Sequence, residues 1–546
     1  MRKLFRAAII FTVACLTVVT SFSQSLWNTA MNNKDILTVT TLFTAQNVRD
    51  YLSKTDGLNN AVNWCKLTGI TKVYIESYRS GLYASREMLE NAKERFLKEG
   101  FEVSGCVTPT GIKKATVGGY RGVSCYTNKE TQEELQRIFE YTASLFDEIM
   151  IDDFLFTECK CEECITARGK KQWSDYYCDL LVEVSRERIL KAAKAVNPDA
   201  RIIIKYPQWY DKFHERGYVV DRQTEDYDLI YVGTETRDYD YSVKPGGEVQ
   251  YSAYFIMRWL GGIGGNKTGG GWFDALGTTS VTYLEQARQT VLADAKELML
   301  FCYNNLISPT NNYDGREGTG IANTEAFRKE LPQLFELARI VRGKPLRGIQ
   351  LPKLPNSEPF EESYVYSYIG MLGLPLVPSH QINEQAEASF FPVHMLRQPG
   401  FSVILQRMLD NKKNVVITDG LAIRLTNQAL LKHENLSILK IAGEPKNLLK
   451  LTRDELNPLR NKLLAPLGLK FDAPNKVALY LFGDNCCVIE NFNNEPVDVT
   501  LTLPVISKVR KLVTLPGEGK AELVRNGKSV SIQNLSPRTL VAFMYQ

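Results

Sequence analysis

Ile149-Met150-Ile151-Asp152-Asp153, followed within a few residues by Cys159-x-Cys161-x-x-Cys164, is the stretch whose reading decides the fold. An apolar run ending in two acids reads as a buried strand that delivers carboxylates to an open end, and the thiols behind it read as a brace for the following loop. That arrangement points to an enzyme site on a barrel rather than to a binding module. Working outward, residues 34 to about 342 alternate short β-branched runs with amphipathic stretches, the mark of parallel strands joined by helices. The candidate strands are 36–41, 72–77, 101–107, 148–153, 201–206, 229–234, 271–274 and 298–303. Helical patterns lie between them at 86–99, 131–145, 174–195, 280–296 and 324–341, with apolar residues at three- and four-residue spacing. Eight such units make a (β/α)8 TIM barrel, whose sites collect at the C-terminal strand ends. An open dinucleotide-binding sheet is disfavoured because no Gly-x-Gly-x-x-Gly follows the first strand.

Beyond the barrel, Pro345, Pro352, Pro355 and Pro359 mark a join. A second α/β pattern runs to about residue 465, its clearest strand Asn414–Thr418 preceded by a helix near 403–409. From about 466 the text alternates apolar and polar residues at 477–482, 487–492, 497–503, 522–524 and 540–545, with Asn526-Gly527 the strongest hairpin signal. The expected organisation is a leader at 1–23, a catalytic barrel at 24–345, a Rossmann-like domain at 346–465 and a small antiparallel β-sandwich at 466–546.

The leader is read from Arg2, Lys3 and Arg6 ahead of an apolar run from Ala7 to about Thr20, with Ser21-Phe22-Ser23 at the cleavage position. It implies a secreted or periplasmic protein whose mature chain starts near Gln24. The run is shorter than the roughly 20 apolar residues of a membrane span. Without those three basic residues, 63 Lys and Arg face 62 Asp and Glu, a balance that recruits neither nucleic acid nor anionic lipid. The four histidines are scattered, so a histidine-based metal or nucleophilic site is not expected. The runs 261–265 and 269–271 are glycine-rich and read as a mobile or close-approach loop before the seventh strand.

Thiolates are soft ligands that favour zinc, and the short spacings in Cys159-x-Cys161-x-x-Cys164 let one loop present three of them. Cys125, in the loop after strand three, is the expected fourth ligand, with Cys106 as the competitor. A closed site of four sulfurs makes the zinc structural; the other reading is a Cys159–Cys164 disulfide. The order Tyr120-Arg121, Cys125, an acid pair closing strand four and then the cysteine triplet resembles glycoside hydrolase family 42, the β-galactosidases. The resemblance implies zinc held by the four matching cysteines, a trimerisation-type middle domain, hence a homo-oligomer, and a terminal β-sandwich. That family carries Asn-Glu where this chain has Asp152-Asp153, and no glutamate closes the seventh candidate strand here.

Glycosidic cleavage generally uses two carboxyl groups, one protonating the leaving oxygen and the other acting as nucleophile or activating water. Asp153 ends strand four, Glu235 ends strand six and Asp274 ends strand seven, with Asp152 and Glu76 behind them. Strand alternation lets only one of Asp152 and Asp153 face the site, and Asp153 is taken as the partner of Glu235. Sugar sites pair aromatic platforms with forked polar groups. Arg79, Lys205, Tyr206, Trp209, Arg237 and Trp272, with Glu76, are the substrate-binding candidates. The expected function is hydrolysis of an oligosaccharide or glycoside. The competing readings are a silent carbohydrate-binding barrel and an α-glycosidase built on the strand-four and strand-six acids.

Overall fold

The computed structural model describes residues 26–120, 122–237, 248–310 and 319–546. The leader at 1–23 and Arg121 lie outside them. Eight parallel strands close a barrel: β1 Thr38–Phe43, β2 Lys72–Arg79, β3 Glu102–Thr108, β4 Glu148–Ile151, β5 Arg201–Tyr206, β6 Leu229–Gly233, β7 Thr268–Asp274 and β8 Glu297–Phe301. Closure is direct, since β1 pairs in parallel with both β2 and β8.

The barrel interior is filled by one side chain from each strand: Leu42, Tyr74, Cys106, Met150, Ile203, Tyr231, Trp272 and Met299. Because side chains alternate along a strand, the residues two further on form the next inward layer, toward the open end. That layer contains Glu76, Thr108, Asp152, Lys205, Gly233, Asp274 and Phe301. Position in this register, more than residue type, decides which polar groups meet.

The glycine-rich tracts are not a loop. Residues 261–264 finish the helix Tyr251–Gly264, and 269–271 lie inside β7. A Cβ at Gly271 would stand 2.3 Å from Thr290 Cγ2, so bare backbone is what lets the neighbouring helix Ser280–Leu292 pack on this strand.

After the barrel, five parallel strands, β9 Ile349–Pro352, β10 Leu376–Ser379, β11 Ala388–Phe391, β12 Asn414–Thr418 and β13 Leu436–Leu439, form a sheet in the order β10-β9-β11-β12-β13. Eight antiparallel strands follow: β14 Lys470–Asp472, β15 Val477–Phe482, β16 Cys486–Asn491, β17 Val497–Thr502, β18 Val509–Leu515, β19 Leu523–Asn526, β20 Ser529–Leu535 and β21 Thr539–Tyr545. They make two four-stranded sheets, β14-β17-β20-β19 and β15-β16-β21-β18. Asn526-Gly527 turns the β19–β20 hairpin, with Asn526 opposite Ser529.

Buried charge joins these layers to the barrel. Asp211 accepts from Lys353 at 3.1 Å and lies 3.0 Å from His394 Nε2, all three enclosed between the barrel and the middle sheet. Arg288 makes two 2.6 Å bonds to Glu330 and a third to the carbonyl of Arg538 in the terminal sandwich. Among the described residues no helix is long and apolar enough to cross a membrane.

Candidate active site

At the C-terminal strand ends, Asp152, Asp153, Glu235, Asp274, Arg79, Lys205, Trp209, Arg237 and Trp272 line one cavity of about 470 Å³. Its centre is Lys205. The ammonium reaches Asp153 Oδ2 at 2.7 Å, Glu235 Oε1 at 2.9 Å and Asp152 Oδ1 at 3.4 Å, and it lies 4.0 Å over the Trp272 ring. The 2.7 Å and 2.9 Å contacts to one nitrogen cap the separation of the Asp153 and Glu235 oxygens at 5.6 Å.

The two neighbouring aspartates do different things. Asp152 lies two residues beyond Met150 and so points inward, where it accepts from Arg79 Nη2 at 2.8 Å, the Asp153 N–H at 2.8 Å and Lys205, with Thr108 Oγ1, shared with Glu76, at 3.1 Å. Asp153 also reaches the cavity, contrary to the alternation argument. The reason is that β4 ends at Ile151 and a turn begins at Asp153, so Asp152 still follows strand parity while Asp153 does not. Glu235 is brought over the rim by the absence of a side chain at Gly233, where a Cβ would come within 2.5 Å of its Oε2.

Burial and charge divide the titrations. Burial pushes the Glu235 carboxyl up to about 7, with Lys205 opposing and the charges on Asp153 and Asp274 adding to the rise. Burial raises Asp153 as well, against Lys205 and with the help of Asp152. Burial alone would raise Asp152, yet Lys205 and Arg79, together with the Asp153 N–H, hold it below the usual carboxylate value. For Lys205, burial is outweighed by its three carboxylates, so the ammonium keeps its proton. Among the described residues Glu235 Oε2 is buried and has no hydrogen-bond partner.

Arg237 brackets Asp274 through Nη2 at 3.0 Å, and the N–H of Leu276 donates to Asp274 at 3.0 Å. Two sequence candidates do not reach the cavity. Glu76 is fully buried behind Arg79, accepting from Arg79 Nε at 2.8 Å and from the Ala45 N–H at 2.8 Å; it holds the guanidinium that faces the site. Tyr206 has the parity opposite to Lys205, so its ring packs outward on Phe213 and Tyr218 and its hydroxyl meets Thr224. Tyr120, Phe154, Phe156, Gln208, Arg216 and Phe301 line the cavity without having been expected there. For Phe154 and Phe156 the signal was present, as large apolar side chains directly after a strand-end acid.

Cys125, Cys159, Cys161 and Cys164 bring their sulfurs within 4.8 Å of one another. Cys125 to Cys161, Cys125 to Cys164 and Cys161 to Cys164 are 3.7, 3.5 and 3.7 Å, close to the spacing of about 3.8 Å that a tetrahedron of sulfurs at 2.3 Å from a zinc ion requires. All four are free thiols, so the Cys159–Cys164 disulfide does not form here. Cys106, the competing ligand, is sealed inside the barrel. The Val117 N–H donates to the Cys159 sulfur at 3.4 Å and Thr127 Oγ1 lies 3.0 Å from that of Cys164. The residues present fit a metal ion.

Residues 24–334 match a family model described as the catalytic domain of a probable glycosyl hydrolase, which is more than half of the chain. The chain belongs to this family. Residues 468–543 of this family member match the corresponding C-terminal domain. An uncharacterised protein of Saccharolobus solfataricus is 27% identical over 357 residues, covering 58% of this chain and 56% of that protein, so the chain spans little more than half of that curated relative. Among solved structures, a GH42 exo-carrageenase from Bacteroides ovatus is 12% identical with a TM-score of 0.44, covering 93% of this chain and 79% of that one. A GH27 β-L-arabinopyranosidase from Geobacillus stearothermophilus is 9% identical with a TM-score of 0.40, covering 96% and 98%.

Proposed function

We propose that this glycosidase cleaves its bond with retention, using Asp153 as nucleophile and Glu235 as general acid and base. The observation that carries the reading is the pair of contacts to Lys205. They cap the separation of the two contacting oxygens at 5.6 Å, which supports the close pairing that a covalent intermediate needs, about 5–5.5 Å, over the 6.5–9.5 Å that admits a water between acid and base. In the first step the glycosidic C–O bond breaks as the Glu235 proton passes to the leaving oxygen and an Asp153 oxygen bonds to the anomeric carbon. In the second, water attacks that carbon, its proton returns to Glu235, and Asp153 leaves as carboxylate. Glu235, kept protonated near neutral pH by burial, suits the first role. Asp152, bonded to both Lys205 and Arg79, anchors them instead of attacking.

Zinc in the cysteine cluster would supply no chemistry. It would fix the loop at 109–128 to the loop at 152–164, and so hold part of the cavity wall. The leader and the resemblance noted above support a secreted or periplasmic homo-oligomer acting on glycosides or oligosaccharides. The test is a screen of aryl α- and β-glycosides of galactose, glucose, mannose, fucose and arabinose, with products followed by NMR. Retained configuration is expected, and Asp153→Asn and Glu235→Gln should each lower kcat by about 10²–10⁴ while sugar still binds. Inverted product, or variants as active as the parent, would overturn the reading.

A further inference from the structure

Beside the acids, the cavity has a wall that the cleavage steps do not use. Tyr120, Phe154 and Phe156 lie with ring centroids 6.4 Å apart pairwise and planes within about 31° of one another. Trp209 closes the row edge-on to Phe156 at 5.3 Å. All four line the cavity, yet Tyr120 is 54% exposed. Phe154 and Trp209 are partly exposed and Phe156 is buried behind them, a graded aromatic row whose open end at the cavity mouth marks a surface for an apolar partner.

The wall is held as a unit. Arg216 stacks over both Trp209, at 4.7 Å, and Phe156, at 5.3 Å. One carboxylate, Glu158, fastens both sides: its Oε1 accepts from Arg216 Nε at 2.7 Å and its Oε2 accepts from the Tyr120 N–H at 3.0 Å. Glu158 directly precedes Cys159 in the sulfur cluster, so the wall's geometry is set on both flanking loops. Such anchoring keeps rings in place without ligand and lowers the ordering cost of binding.

We infer that Tyr120, Phe154, Phe156 and Trp209 form a stacking platform for a second sugar ring, adjacent to the ring whose bond is cleaved. The inference rests on the hydrolase reading and gives its substrate class: a disaccharide or longer chain, bound by the C–H face of the neighbouring residue. Glu158 is a positioning residue for that platform.

The probes are lactose, melibiose, cellobiose, maltose and mannobiose, with the glycosyl fluorides of galactose, glucose and mannose, which carry one ring only. Tyr120→Ala should lower kcat/KM for the accepted disaccharide about tenfold and leave that for the matching fluoride unchanged. Glu158→Gln should show the same split, with Glu158→Asp restoring part of it. Equal losses on both substrates, or none on either, overturn the platform. Calorimetric titration of the same disaccharides into wild type and Tyr120→Ala provides a readout independent of turnover. If the wild type cleaves nothing, the hydrolase reading falls while a tenfold weaker disaccharide affinity in Tyr120→Ala still supports the platform; unchanged affinity, or no binding of any disaccharide, refutes it.

Discussion

Replacing Lys205 with Met keeps most of the side-chain stem and removes the ammonium that touches Asp153, Glu235 and Asp152. At an effective dielectric near 20, each of the two short contacts carries about 6 kcal/mol of attraction when its carboxyl is ionised. Much of this offsets the cost of placing the ammonium where its side chain is only 2% exposed. What remains on deletion is the penalty of carboxylates left without their cation, about 3–5 kcal/mol. The penalty depends on pH in a defined direction. Glu235 is already raised from 4.5 to about 7 and Asp153 is raised too, and losing Lys205 lifts both further. A carboxyl raised in the folded state contributes stability that is full below its unfolded value and lost as pH rises through its folded value. The deficit of the variant is therefore smaller at pH 5, where the acids take up protons, than at pH 8, where more of each is ionised in the wild type. All six tryptophans lie in the barrel part of the chain, so urea unfolding followed by tryptophan fluorescence at the two pH values reports this site's domain. A deficit equal at pH 5 and pH 8, or below about 1 kcal/mol at pH 8, would refute the reasoning.

Glu235→Gln should abolish the alkaline limb of the kcat/KM profile, which in the wild type falls as pH rises through about 7 and the acid loses its proton; pH–rate profiles with an activated aryl glycoside check this. Cys161→Ser should lower bound metal below one equivalent by elemental analysis and lower the thermal midpoint, since a closed four-sulfur site adds its binding energy to folding. Tyr206→Phe should leave kcat and KM unchanged within twofold and cost about 1 kcal/mol of stability through the lost hydroxyl contact with Thr224; a large kinetic effect would return Tyr206 to the site.

The barrel was legible because parity and composition agree along its strands. Inward apolar residues such as Met150 and Ile203 alternate with outward ones that meet the helix layer, and β5 and β12 have the bounds that the sequence indicates. That Asp153, Glu235, Asp274, Arg79, Lys205, Arg237, Trp209 and Trp272 would line one cavity was readable because strand ends of a closed barrel converge, whatever the intervening sequence. Tyr206 was misplaced by the same logic applied loosely: adjacent residues on one strand cannot both face inward, and Lys205 took the inward position. Asp153 broke the rule in the other direction, because β4 stops at Ile151 and the chain turns at Asp153. Tyr120 was beyond reach from sequence, since its place depends on Glu158 and on the sulfur cluster gathering two loops. That Lys205 would lock the acids together, rather than wait for substrate, follows only from distances.

The central claim, that Asp153 and Glu235 work as one pair with Asp153 attacking carbon, is tested most directly by trapping the intermediate. A 2-deoxy-2-fluoroglycosyl fluoride of the accepted sugar slows the second step, and peptide mass spectrometry then locates the attached sugar. A label on Asp153 that accumulates in the wild type and is lost in Asp153→Asn is the predicted result. A label on Asp152 or Asp274, or complete cleavage with no labelled peptide and inverted product, would contradict it.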